Sequence, residues 1–80
     1  MKLLFYGRLA DLLGRERHVD AASSSTIGQL RDRLITEHEH AKDELNGRRV
    51  RICVADALVG DDHVVHSDDT VEFLPPVSGG

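Results

Sequence analysis

The 80-residue chain has one cysteine, two prolines, three aromatic side chains and no tryptophan. A single thiol excludes a disulfide scaffold and any four-thiolate zinc or iron–sulfur centre. No apolar run approaches the roughly 18–20 residues that span a bilayer, so no membrane segment is expected. The opening Met1-Lys2-Leu3-Leu4-Phe5-Tyr6-Gly7 is too short an apolar stretch for a secretory signal and lacks a small-residue cleavage site. A cytoplasmic location is the expectation. Residues 52–80 contain no Lys or Arg at all and six acids, a balance of −6, whereas residues 1–51 hold all ten bases and eight acids, a balance of +2. Arg48, Arg49 and Arg51 form the sole basic cluster and read as a solvated strand edge. With so few aromatics beside them, nucleic acid is not an expected partner. A basic protein surface suits the acidic C-terminal part better.

What remains is an ordinary globule, 40% apolar and 30% charged, with a net charge of −4 that is too small to favour disorder. Its length allows one small domain with a thin core. Lys2–Tyr6 reads as a strand with Leu3 and Phe5 on one face and Leu4 and Tyr6 on the other. Leu9–Leu13 suits one helical turn stopped by Gly14 in a left-handed cap. Residues 15–21 alternate weakly and should pair antiparallel with the first strand. Thr26 and Gln29 have capping-box spacing, and Ile27, Leu30, Leu34 and Ile35 then repeat at helical intervals, so the main helix starts there and fades around His38–Ala41. Asn46-Gly47 marks a turn. Val50, Ile52 and Val54 alternate with Arg49, Arg51 and Cys53 as a half-buried strand, a short strand follows at Ala57–Val59, and Thr70–Leu74 is the last. There Val71 and Phe73 share one face, Glu72 and Leu74 the other. One helix covers only one face of such a sheet, which predicts an α+β grasp: a mixed sheet of four to five strands packed on one main helix. Residues 1–74 form that domain and residues 75–80 an extended tail.

No side-chain constellation points to catalysis. His38 and His40 are two apart and diverge on a helix. His63 and His66, beside Asp61 and Asp62, read as a solvated acidic loop rather than a ligand set, and no metal is expected. Asp61-Asp62 and Asp68-Asp69 are turn residues. Cys53 reads as a small buried hydrophobe, not a nucleophile. The glycines at 7, 14, 28, 47 and 60 stand singly, without a phosphate-binding loop.

The unusual feature is the end, Leu74-Pro75-Pro76-Val77-Ser78-Gly79-Gly80. Two consecutive prolines fix φ twice and remove two donors, so the chain leaves the sheet stiff and extended. Gly79-Gly80 lacks side chains and suits a slot too narrow for a Cβ. A stiff spacer before a slim carboxyl tip is what a chain needs if its own C-terminus is the reactive group.

The segment Phe73–Gly80 strongly resembles the C-terminus of the small, sulfur-carrying subunits of molybdopterin synthases, which are ubiquitin-like β-grasp proteins. Leu3–Gly14 fits that family's strand-then-turn start, and length and element order agree throughout. One departure is Ser67-Asp68-Asp69, where relatives commonly have a glycine; Asp68 is expected to tolerate a left-handed backbone there. The resemblance implies that Gly80 is adenylated by a separate ATP-using activating enzyme and converted to a thiocarboxylate by a sulfur donor. The sulfur then passes to cyclic pyranopterin monophosphate in a complex with the large synthase subunit, in the family a heterotetramer. It also implies that the chain itself binds no cofactor, that Gly79 keeps the tip slim, and that Tyr6, Leu58, Leu74, Pro75, Pro76 and Val77 meet the partner. Leu4, Tyr6 and Leu74 lie away from the core face by alternation, which suits an apolar docking patch beside the tail. Three other fates fit a Gly-Gly end: a sulfur carrier for thiamine or cysteine synthesis, a modifier joined to lysines, and an interaction module with an inert tail.

Overall fold

A computed structural model of the chain describes residues 1–20, 25–46 and 50–75. Strand β1 (Lys2–Phe5) lies between β2 (Glu16–His18) and β7 (Thr70–Leu74), and β4 (Arg51–Val54) and β5 (Ala57–Val59) complete a five-stranded sheet in the order β2-β1-β7-β4-β5. The first and last strands run parallel in register, Leu3 beside Val71 and Phe5 beside Phe73; all other neighbours in this sheet are antiparallel. The alternation expected from the sequence decides which face is inside. Leu3, Phe5, Ile52, Val54, Val71 and Phe73 are buried, and the rings of Phe5 and Phe73 stack with centroids 5.0 Å apart at its centre.

Helix α2 (Ile27–Glu37) closes the core from that side. Its start is the expected capping box: the Gln29 amide donates to Thr26 Oγ1 at 3.2 Å, and the Thr26 amide donates to Gln29 Oε1 at 2.9 Å. Ile27, Leu30 and Leu34 are buried, and Ile35 packs at the core's margin. Among the described residues, fourteen buried apolar side chains make one cluster shared by the sheet and the helices, an α+β grasp as expected.

Several details differ from the sequence expectation. Helix α1 runs Gly7–Leu13, nearly two turns rather than one, because Leu9 and Leu13 lie one turn apart and both reach the core. Gly14 has φ +90° but an extended ψ of 164°, so the stop is a positive-φ glycine rather than a left-handed helical cap; its amide donates to the Ala10 carbonyl at 2.8 Å. Past α2 the chain does not fade. A 3₁₀ turn (Glu39–Ala41) leads into a one-turn helix α3 (Lys42–Leu45), which bury Ala41 and Leu45 completely. Two short strands, β3 (Ser25–Thr26) and β6 (Val64–Val65), pair beside α2 and place Val65 in the core. Among the described residues the positive-φ positions other than glycine are Ala55 and Asp56, not Asp68. The turn before β7 is held instead by Asp69, whose Oδ2 accepts from the His66 amide at 2.8 Å while its own amide donates to the His66 carbonyl at 3.0 Å. Gly47 of the expected Asn46-Gly47 turn lies outside the described residues, as do Arg48 and Arg49. No helix among the described residues is long and apolar enough to cross a membrane.

Candidate functional site: the open sheet face at the root of the tail

Among the described residues all helices pack on the inner face of the sheet, and none covers its outer face. The strand registers order that face. Leu4 lies beside Glu72, Glu72 beside Cys53, and Cys53 beside Leu58, one continuous row from β1 to β5. One pleat further along, Leu74 lies beside Arg51, and Tyr6 stands just past the end of β1. Tyr6 is 40% exposed and Leu58 59%, while Leu4, Leu74 and Cys53 are half-buried. The alternation that sends Ile52 and Val54 inward sends Cys53 outward, which corrects the expectation of a buried cysteine. Tyr6, Leu58 and Leu74 thus share one face as expected, but Leu58 is separated from the others by Glu72 and Cys53.

At the root of the tail, the Pro75 ring lies close against the Gly7 backbone. Gly7 opens α1 at φ +59°, where L side chains are disfavoured, and a Cβ there would stand 3.1 Å from the Pro75 Cβ. Glycine therefore lets Pro75 seat on the β1–α1 corner, directly after Leu74. A surface groove of 590 Å³ runs from this corner, lined in part by Leu4, Tyr6, Gly7, Asp11, Arg15 and Glu16. Pro76, Val77, Gly79 and Gly80 lie outside the described residues.

Two acids on this face differ in their surroundings. Glu16 accepts from His18 at 2.8 Å and lies 3.7 Å from the Lys2 ammonium; chiefly the His18 hydrogen bond holds its carboxyl below the usual range. Glu72 instead accepts from the Tyr6 hydroxyl at 2.6 Å, a bond that, with lesser help from desolvation and the carboxylate's charge, raises the Tyr6 pKa above 10.0. Sequence alternation located both side chains on the outer face; their bond depends on the parallel β1–β7 register and had no sequence signal. The Gly7–Pro75 contact was equally invisible.

Elsewhere, Asp61 is engaged by Arg31 at 2.8 Å, and His63 and His66 are exposed. Among the described residues no three His, Cys, Asp or Glu side chains converge on a common point.

A mixed sheet with paired terminal strands, gripping one main helix and ending beside an open face, defines a ubiquitin-like β-grasp protein. The ThiS family matches residues 3–80, and the chain belongs to that family. It is 30% identical over 80 residues to the molybdopterin synthase sulfur carrier subunit of Escherichia coli, covering 100% of this chain and 99% of that one. Among solved structures, the small archaeal modifier protein SAMP1 of Haloferax volcanii superposes with a TM-score of 0.82 at 22% identity, covering 99% of this chain and 97% of that chain. Subunit 1 in the complex of subunits 1 and 2 of the molybdopterin-converting factor from Helicobacter pylori gives a TM-score of 0.68 at 24% identity, over 99% and 96%. The family resemblance carried by Phe73–Gly80 is therefore borne out, and so is the fold.

Proposed function

We propose that the chain is the sulfur carrier of molybdopterin synthesis and that Gly80 is its working group. The observation that carries this is the placement of Pro75: seated on Gly7 directly after Leu74, it starts the Gly-Gly-ending segment beside a sheet face that the described residues leave uncovered and that carries Tyr6, Leu58 and Leu74. The full-length match to the Escherichia coli carrier subunit supports it.

The chemistry follows from what a carboxylate lacks. It is a poor electrophile, so a Gly80 oxygen first attacks the α-phosphorus of ATP on a separate activating enzyme. Pyrophosphate leaves and an acyl-adenylate forms. A donor of sulfide-level sulfur then attacks the carbonyl carbon, AMP departs with the electron pair of the broken C–O bond, and a thiocarboxylate remains. With the tail inserted into the large synthase subunit, that sulfur passes to cyclic pyranopterin monophosphate, and two rounds supply the two sulfurs of the dithiolene. Gly79 keeps the tip narrow. Pro76 and Val77 hold it extended against the partner, and Tyr6, Leu58 and Leu74 dock the globular face. The working complex is a heterotetramer with the large subunit; the Helicobacter pylori complex of subunits 1 and 2 supports the large subunit as partner. ATP belongs to the activating enzyme, this chain holds no cofactor, and the exchange takes place in the cytoplasm. The test is single-turnover sulfur transfer. Thiocarboxylated chain mixed with the large subunit should convert the pterin stoichiometrically, and equal conversion by the unmodified chain would contradict the assignment.

A further inference from the structure

The outer face is not uniformly apolar, and a carboxylate with no cation partner among the described residues lies at its centre. Glu72 sits on the middle strand of the sheet, between Leu4 and Cys53, with Leu58 beyond. Of its oxygens, Oε2 accepts from Tyr6, and among the described residues no cation reaches salt-bridge distance of the carboxylate. Glu16, on the same face, has both Lys2 and His18. Arg51 lies beside Leu74, diagonal to Glu72, and makes no ion pair among the described residues.

A face docked through Leu4, Tyr6, Leu58 and Leu74 takes Glu72 out of water with it. An ionised carboxylate buried with a single neutral donor is costly; burial is tolerable only when a cation meets it with hydrogen bonds. The Tyr6 hydroxyl fixes the orientation of Oε2, and among the described residues no side chain donates to Oε1. We infer that Glu72 is the specificity determinant of the docking face, and that it selects a partner whose apolar surface carries one guanidinium or ammonium positioned to meet it. A bidentate guanidinium fits best, because one oxygen is already oriented. The inference rests on the docking face assigned above. It adds that a purely apolar partner surface is rejected.

The experiment is titration calorimetry of the wild-type chain, Glu72→Gln and Tyr6→Phe against the large synthase subunit at low and high salt, with circular dichroism confirming that each variant is folded. Loss of one member of a buried ion pair should weaken binding of Glu72→Gln by roughly thirtyfold or more and flatten its salt dependence. Tyr6→Phe keeps the ring and the charge, so it should lose less affinity than Glu72→Gln and retain the wild-type salt slope. If Glu72→Gln binds as tightly as wild type with the same salt slope, or more tightly, the inference is wrong while the docking face stands. If the folded wild-type chain does not bind the large subunit at all, the functional assignment falls and this inference falls with it.

Discussion

Tyr6 is the only tyrosine in a chain without tryptophan, so its ionisation can be followed by absorbance without interference. The Glu72 carboxylate stabilises the protonated phenol by accepting its proton in a hydrogen bond, and its charge opposes a neighbouring phenolate. Wild type should therefore titrate above 10.0, and Glu72→Gln should titrate lower than wild type. Coincident curves would show that the pair does not persist in solution. At this scale the sequence was legible wherever alternation decides the matter. Period two puts Leu4, Tyr6 and Leu74 outside, opposite Leu3, Phe5 and Phe73, and the structure agrees. It was not legible where two distant positions meet. Tyr6 and Glu72 are 66 residues apart, and nothing in either neighbourhood signals the contact. Cys53 is a residue type that favours burial, but its position between two inward-facing neighbours turns it outward.

Among the elements, those with a long periodic pattern or a cap were readable, as in α2 with its Thr26–Gln29 box and β7 with its inward Val71 and Phe73. Two-residue strands such as β3 and β6 have no period to read, and α3 shows only Ala41 and Leu45 among charged neighbours. The β4–β5 connection carries its own strain. Ala55 at φ 52° and Asp56 at φ 65° join the strands in a two-residue turn with both φ positive, the geometry that matches strand twist and favours Asn-Gly. Alanine is disfavoured in that region, whereas asparagine visits it readily. Ala55→Asn should therefore stabilise the fold by about 0.5 to 1 kcal/mol, seen as a higher urea midpoint at unchanged slope. An unchanged or lower midpoint would mean that the turn is not strained as described.

For the molecule as a whole, acid should loosen the fold through identifiable groups. Burial, then the charge of Arg17, pushes the His38 pKa below its ordinary 6.5. Below that value the unfolded chain binds the proton more readily than the native one, so the native state loses stability as pH falls through about 6.5. Glu16, held low mainly by His18, adds a loss in the same direction at still lower pH. Melting temperatures compared at about pH 7.5 and about pH 5.5 should drop for wild type and drop less for His38→Gln. Equal drops would remove His38 from the account. The candidate site was legible at this scale in an uneven way: the tail stood out as a motif, and the outer face of the sheet followed from alternation, but the corner where the two join depends on Gly7 meeting Pro75 across the fold.

The central claim is that the carried sulfur resides on Gly80, and intact mass spectrometry tests it most directly. After incubation with the activating enzyme, ATP and a sulfur donor, the wild-type chain should gain about 16 Da, one oxygen exchanged for sulfur, with fragmentation placing the gain on Gly80. Cys53→Ala should gain the same mass. Gly79→Val should fold normally but stay at its starting mass, because a branched side chain blocks the slot that the tip must thread. A wild-type chain that stays unmodified, a gain of about 32 Da on Cys53 as a persulfide, or a full gain on Gly79→Val would contradict the account.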